Sequence, residues 1–203
     1  MTVFYHRDDL PADVDFGPVV AMDTETMGLQ LGRDRLCVVQ LSAGDGYAHL
    51  VHFPRPHYDA PNLTRLLTDP NVVKLFHFAR FDLAMLRHHL GVHCQPAWCT
   101  KIASKLTRTN TDRHGLKDLC RDLLGIELSK QQQTSDWGAA TLSAEQLAYA
   151  ASDVFHLHQL KQRLEELLDR EGRRQLAEAC FRFLPDRAEL DLAGWPDEDI
   201  FAH

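Results

Sequence analysis

Asp23 and Glu25 stand two residues apart where the apolar run Pro18-Val-Val-Ala-Met gives way to polar side chains. Strand side chains alternate faces, so both carboxylates would point to one side and could share a metal ion. Asp82 lies in His77-Phe-Ala-Arg-Phe-Asp82-Leu, near the start of an amphipathic helix that follows a strand. Tyr149 and Asp153 are four apart in Tyr-Ala-Ala-Ser-Asp-Val, which puts them on one helix face. The small neighbours would let a metal, a substrate or another chain segment approach closely. Each pattern also has a plain reading: solvated acids at a strand end, a first-turn acid favoured by the helix dipole, a surface Tyr beside a solvated Asp.

Together the acids suit hard cations such as Mg²⁺, which take oxygen ligands and often need only one or two carboxylates plus phosphate and water. Two such ions, roughly 3.5–4 Å apart, clamp the attacking and leaving oxygens of a phosphoryl displacement. Four crowded carboxylates repel one another and would hold protons through raised pKa values. Two divalent ions would neutralise that charge.

The elements that must position these groups form a mixed order. Strands are expected at 18–24, 35–43, 47–53 and 72–77, the first three as an antiparallel meander around the turn Gly44-Asp45-Gly46. Helices are expected at 62–67, at 80–90 with a stop at Gly91, at 99–108, and at 116–124 ended by Gly125. Ser143-Ala-Glu-Gln146 is a capping box, and apolar residues from Leu147 to Leu168 keep helical spacing up to Gly172, which predicts one long helix. The expected fold class is α/β, a mixed central sheet flanked by helices.

With 203 residues, 44% of them hydrophobic, the chain is expected to form one domain over 1–203. No internal repeat or linker divides it. Residues 185–203 mix six acids with Leu190, Leu192, Trp195, Ile200 and Phe201, and read as a docking and oligomerisation tail. The net charge of −7 argues against non-specific coating of long nucleic acid, which basic proteins favour through counterion release. Five cysteines without a C-x-x-C pair read as reduced thiols of a cytoplasmic protein. Twelve histidines show no H-E-x-x-H spacing. Neither a signal peptide nor a membrane span is expected.

The order strand D-x-E, helix Asp, helix Tyr-x-x-x-Asp resembles the DEDD exonucleases, in their tyrosine-containing branch and the ribonuclease D-like group. The marks are Val20 to Leu29, the segment around Asp82, Ser135-Asp136-Trp137 and Gln146 to Asp153. A narrower resemblance, to the nano-RNase C (NrnC) family, rests on Asp34-Arg-Leu-Cys-Val-Val-Gln-Leu41, Cys99 to Arg108, Thr111 to Lys117, Lys130-Gln-Gln-Gln133 and the tail Leu192 to His203. The resemblance implies a ribonuclease H-like (DnaQ-like) fold. It implies a 3′→5′ exoribonuclease that hydrolyses dinucleotides and other short RNA to nucleoside 5′-monophosphates, working as a ring-like homo-octamer. Asp23, Glu25 and Asp153 would bind one Mg²⁺. Asp23 would also touch a second, reached by Asp82 directly or through water, with Mn²⁺ able to substitute. Tyr149 would orient the attacking water.

For substrate contacts, Leu29 is the candidate wedge between two bases, by likeness to oligoribonucleases. His77 and Phe81, beside Asp82, could stack on a base or ribose, or simply pack in the core. Lys101, Lys105 and Arg108 make a basic helix face which, with Arg113, reads as a phosphate-binding surface or an ordinary solvated face. Residues 130–137 are a candidate polar loop over the site. Three other readings stay open: a broader ribonuclease D-like enzyme trimming RNA ends, a DNA exonuclease, and an inactive RNA-binding scaffold.

Overall fold

The computed structural model describes residues 2–128 and 135–203. Its centre is a mixed six-stranded sheet in the order β1-β4-β3-β2-β5-β6. The strands are β1 (Thr2–Arg7), β2 (Val19–Thr26), β3 (Leu36–Ser42), β4 (Tyr47–His52), β5 (Val73–Phe76) and β6 (Ala97–Cys99). β2, β3 and β4 pair antiparallel, as the meander predicts. β5 runs parallel to β2, β6 parallel to β5, and β1 parallel to β4. All seven residues of β3 are buried, so helices or loops cover both faces of the sheet at its middle.

The helices are α1 (Pro61–Thr68), α2 (Ala79–Leu90), α3 (Thr100–Thr107), α4 (Leu116–Leu119), α5 (Ala144–Phe155), α6 (Leu157–Arg170) and α7 (Arg174–Leu192). α2 ends at Gly91, whose φ of 69° is left-handed, as a C-cap glycine allows. α4 runs on into a π-helical turn, Cys120–Leu124, closed by Gly125.

Four features depart from the sequence expectations, the last being α7, which no sequence pattern singled out. β1 has no clean apolar alternation, and it lies half-exposed at the sheet edge, where pairing to β4 rather than side-chain burial defines it. β6 is only three residues long, too short to show a period. The long helix expected from Ser143 to Gly172 breaks at His156, which ends α5 and begins α6. Val154 and Leu157 keep helical spacing across the break, so the apolar pattern hides it. The break lets α5 lie over β1–β4 while α6 packs against α3.

α7 carries Pro185 in its interior and continues to Leu192 along α2. Arg80 of α2 forms a two-pronged pair with Asp191 at 2.6 Å and also donates to the Pro196 carbonyl. Arg187 donates to the Trp195 and Pro196 carbonyls, so the chain after α7 is tied back onto α2 and α7.

Candidate active site

β5 accompanies β2 only as far as the Met22–Phe76 pair. Beyond it the β5 chain leaves the sheet through His77 and Phe78 and enters α2. Asp23 and Glu25 stand at the stretch of β2 this departure uncovers. Thr24, which strand alternation points the other way, donates from Oγ1 to Asp82 Oδ1 at 2.6 Å and holds the α2 acid against the strand. From the Asp23 side comes α5, started by the expected capping box: Ser143 Oγ accepts from the Gln146 amide at 3.2 Å, and Gln146 Oε1 accepts from the Ser143 amide at 2.9 Å. Gln146 Nε2 also donates to the Asp136 carbonyl at 3.0 Å, tying the start of α5 to the Ser135-Asp136-Trp137 segment.

These elements bring the acids together. Asp23, Glu25 and Asp153 each offer an oxygen within 4.8 Å of the others. With Asp82 and Tyr149 they line one cavity of about 720 Å³. Among the described residues none of these four carboxylates forms a salt bridge.

The electrostatics follow from burial and crowding. Burial, then the charges of Asp82, Asp153 and Glu25, push Asp23 well above the carboxylate range. Burial and the neighbouring Asp153 and Asp82 hold Glu25 at about 9. Burial holds Asp82 at about 7 against the Thr24 hydrogen bond, and Asp153 at about 7 against the Tyr149 hydroxyl. The Tyr149 phenol is pushed up by burial first, then by Asp153, Glu25 and Asp23, so it stays protonated.

Of the expected substrate residues, Leu29, His77 and Phe81 line the cavity. Leu29 is 81% exposed, presented by a loop that needs glycine beside it: a Cβ on Gly28 would lie 2.2 Å from an Asp34 carboxylate oxygen. Burial lowers His77 to about 3, and its Nδ1 sits 2.8 Å from Thr100 Oγ1, so it is neutral and braces the β5–α2 turn. Lys101, Lys105, Arg108 and Arg113 are not among the lining residues. Arg108 is engaged with Asp122 at 2.6 Å and the Arg113 carbonyl at 2.9 Å. Lys101 Nζ lies 3.9 Å above the ring of Phe78. Lys130-Gln-Gln-Gln133 lies outside the described residues.

Further side chains line the cavity. Lys117, the last cation of the basic stretch read as a phosphate-binding surface, reaches it. Trp137 is buried, its ring 6.1 Å from that of Tyr149. Met27 and Phe78 are exposed apolar groups on the rim. Phe78 has φ 64°, a left-handed backbone that costs a non-glycine residue about 1–3 kcal/mol. The only sequence signal for it is position, directly between a strand and its helix.

The family match for 3′-5′ exonuclease spans residues 8–169, which includes all four acids and Tyr149. The chain belongs to the 3′-5′ exonuclease family. This exonuclease chain is 37% identical over 171 residues to ribonuclease D of Gluconacetobacter diazotrophicus, a stretch covering 84% of this chain and 43% of the relative. The chain thus spans about two fifths of the length of the ribonuclease D relatives it matches. Among solved structures it is similar to Brucella melitensis NrnC with bound Mg²⁺, at 56% identity, TM-score 0.96 and 100% of both chains. It is likewise similar to Brucella melitensis NrnC bound to pGG, at 57% identity and TM-score 0.97, over 100% of this chain and 99% of that one. The six-stranded mixed sheet is therefore the ribonuclease H-like, DnaQ-like exonuclease fold, and the exonuclease is of the ribonuclease D type. An all-oxygen donor set, crowded and unpaired with any base, fits the divalent cation that such exonucleases use.

Among the described residues, no helix is long and apolar enough to cross a membrane.

Proposed function

We propose that this chain is a two-metal-ion 3′→5′ exoribonuclease that hydrolyses short oligoribonucleotides, dinucleotides above all, to nucleoside 5′-monophosphates at the end of RNA decay. The observation that carries this reading is the meeting of Asp23, Glu25 and Asp153 within 4.8 Å, with Asp82 and Tyr149 on the same cavity. A cavity of about 720 Å³ is of small-ligand size, which suits a dinucleotide better than a folded RNA. The solved relative bound to pGG supports the same substrate class.

Asp23, Glu25 and Asp153 would hold one Mg²⁺, and Asp23 with Asp82 the second, with Mn²⁺ able to replace either. Bound there, the cations supply Lewis-acid activation of the attacking water and of the leaving 3′ oxygen. Tyr149 stays protonated and orients that water by hydrogen bonding. Tyr149→Phe is expected to lower kcat about 10²-fold while leaving Mg²⁺-induced thermal stabilisation intact; unchanged kcat removes Tyr149 from the reaction.

Leu29 wedges between the two bases, with Phe81 beside it and Phe78 on the rim. A stacked base contributes about 1–3 kcal/mol by alanine substitution, so Phe78→Ala is expected to raise KM for a dinucleotide about tenfold. A KM within twofold of wild type excludes that stacking. His77 braces the turn beneath the bases. Lys117 serves the phosphate inside the cavity. Lys105 and Arg113, exposed outside it, suit phosphate approaching across a subunit boundary, next to Lys101 and Arg108.

The chain is read as one domain, 1–203, assembling as a homo-octamer through contacts that include residues 185–203. Five cysteines without a disulfide are compatible with the cytoplasm.

Comparing rates on a dinucleotide, a 20-mer RNA and a DNA oligomer in Mg²⁺ tests the substrate assignment. The dinucleotide is expected to be fastest. Equal or faster cleavage of the 20-mer points to ribonuclease D-like trimming, and of DNA to a DNA exonuclease. Binding without nucleotide release points to an inactive scaffold.

A further inference from the structure

Gln40 lies in the middle of β3, is 0% exposed, and has no hydrogen-bond partner on either amide atom. Among the described residues no other side chain has two orphaned polar atoms. A buried unpaired amide costs about 1–3 kcal/mol by mutational measure, and the rest of β3 is largely apolar. An apolar residue of that size would serve the fold better, so the amide calls for a partner in some state of the protein.

The register names that partner. Gln40 pairs with Asp23 across the antiparallel β2–β3 ladder and with Leu50 on its other side. Directly opposed residues share a face, with Cβ atoms about 4.5–5.5 Å apart. Leu50 can neither donate nor accept. The next polar side chain on the same face of β3, Ser42, already uses its hydroxyl on the Tyr47 carbonyl at 2.6 Å and the Gly44 amide at 3.2 Å. Glu25 stands opposite Val38, one step further along. Asp23 is thus the polar side chain directly opposite Gln40, while His52, whose Nε2 is also unpartnered, stands diagonal to it, opposite Val38; on the reading above Asp23 would ligate both cations.

We propose that Gln40 is the positioning residue of the metal centre: its Nε2 donates to the Asp23 carboxylate when that group ligates a divalent cation, fixing which oxygens Asp23 turns toward the ions. The inference rests on the two-metal reading above. An amide donor behind the Asp23 carboxylate would orient the plane of that group as it ligates the cations. Outer partners of metal ligands typically change metal affinity 10–100-fold when removed.

The test is Gln40→Met, which keeps the length and removes the amide. EDTA-treated wild type and variant are compared by thermal unfolding, and Mg²⁺ affinity by calorimetric titration without substrate. The variant is expected to unfold at the wild-type temperature or above it, because an orphaned amide is gone, and to bind Mg²⁺ about tenfold more weakly. Activity is expected to recover at saturating Mg²⁺. Wild-type affinity in the variant overturns the proposal, as does a metal-free variant that unfolds several degrees lower or fails to fold, since the amide then serves the fold itself. Wild type that does not bind Mg²⁺ at all would instead refute the two-metal reading.

Discussion

Asp153→Asn is expected to lower turnover by about 10³-fold, roughly 4 kcal/mol of lost transition-state stabilisation, and yet to make the metal-free protein more stable. The two effects have one origin. Asp153 is held at about 7 mainly by burial, beside Asp23 and Glu25, with no base paired to it among the described residues. At pH 8 in EDTA the fold must keep that carboxylate ionised in a poorly solvated place near other acids. Asn has the same shape without the charge. For a chain of this size about 1 kcal/mol shifts Tm by 2–4 °C, so a rise of at least ~3 °C is expected by calorimetry in EDTA. A fall in Tm would mean that the bond from the Tyr149 hydroxyl outweighs the charge penalty, and the picture of a strained acidic cluster would be wrong.

The second large effect is a pH-dependent stabilisation by Mg²⁺. Unfolded Asp and Glu titrate near 4, whereas in the fold Asp82 and Asp153 sit at about 7 and Glu25 at about 9. Below pH 4 both states are protonated and the groups carry no penalty. As pH rises from 4 to 7 the unfolded chain releases protons that the metal-free fold retains. The folded state then binds more protons, so stability falls with pH across this window and further toward 9 for Glu25. Divalent cations held by the ionised cluster, as proposed above, would remove the penalty. The gain in Tm from 10 mM Mg²⁺ is therefore expected to be small at pH 5 and large at pH 8. At a concentration a hundredfold above Kd it amounts to about 2.7 kcal/mol, or roughly 5–10 °C. Taking the difference with and without Mg²⁺ cancels groups elsewhere, such as Asp34, whose bond to Arg33 lowers it to about 2. An equal gain at pH 5 and pH 8 would contradict ligation by these carboxylates.

The acids and Tyr149 are legible in the sequence because chemistry limits their residue types and local geometry limits their spacing. D-x-E on a strand and Tyr-x-x-x-Asp on a helix each define a shared face without any knowledge of the tertiary fold. The meander and the Ser143 cap are legible for the same reason. Other features depend on what lies across space. Phe78 looks like any apolar residue before a helix, and only its left-handed backbone and the Lys101 ammonium over its ring single it out. Lys101 and Arg108 have helical spacing, but spacing does not reveal that one covers an aromatic ring and the other pairs with Asp122. Gln40 sits inside the apolar run Leu36 to Leu41, and its meaning appears only once the β2–β3 register sets it opposite Asp23. The break at His156 is hidden because the apolar period passes through it unchanged.

Digestion of a 5′-phosphorylated dinucleotide in ¹⁸O-labelled water, with Mg²⁺ or with EDTA and followed by mass spectrometry, tests the metal-assisted hydrolytic centre most directly. Nucleoside 5′-monophosphates alone are expected, with one label in the newly exposed 5′-phosphate and no reaction in EDTA. Turnover that survives EDTA, or products ending in a 3′-phosphate or 2′,3′-cyclic phosphate, would contradict it.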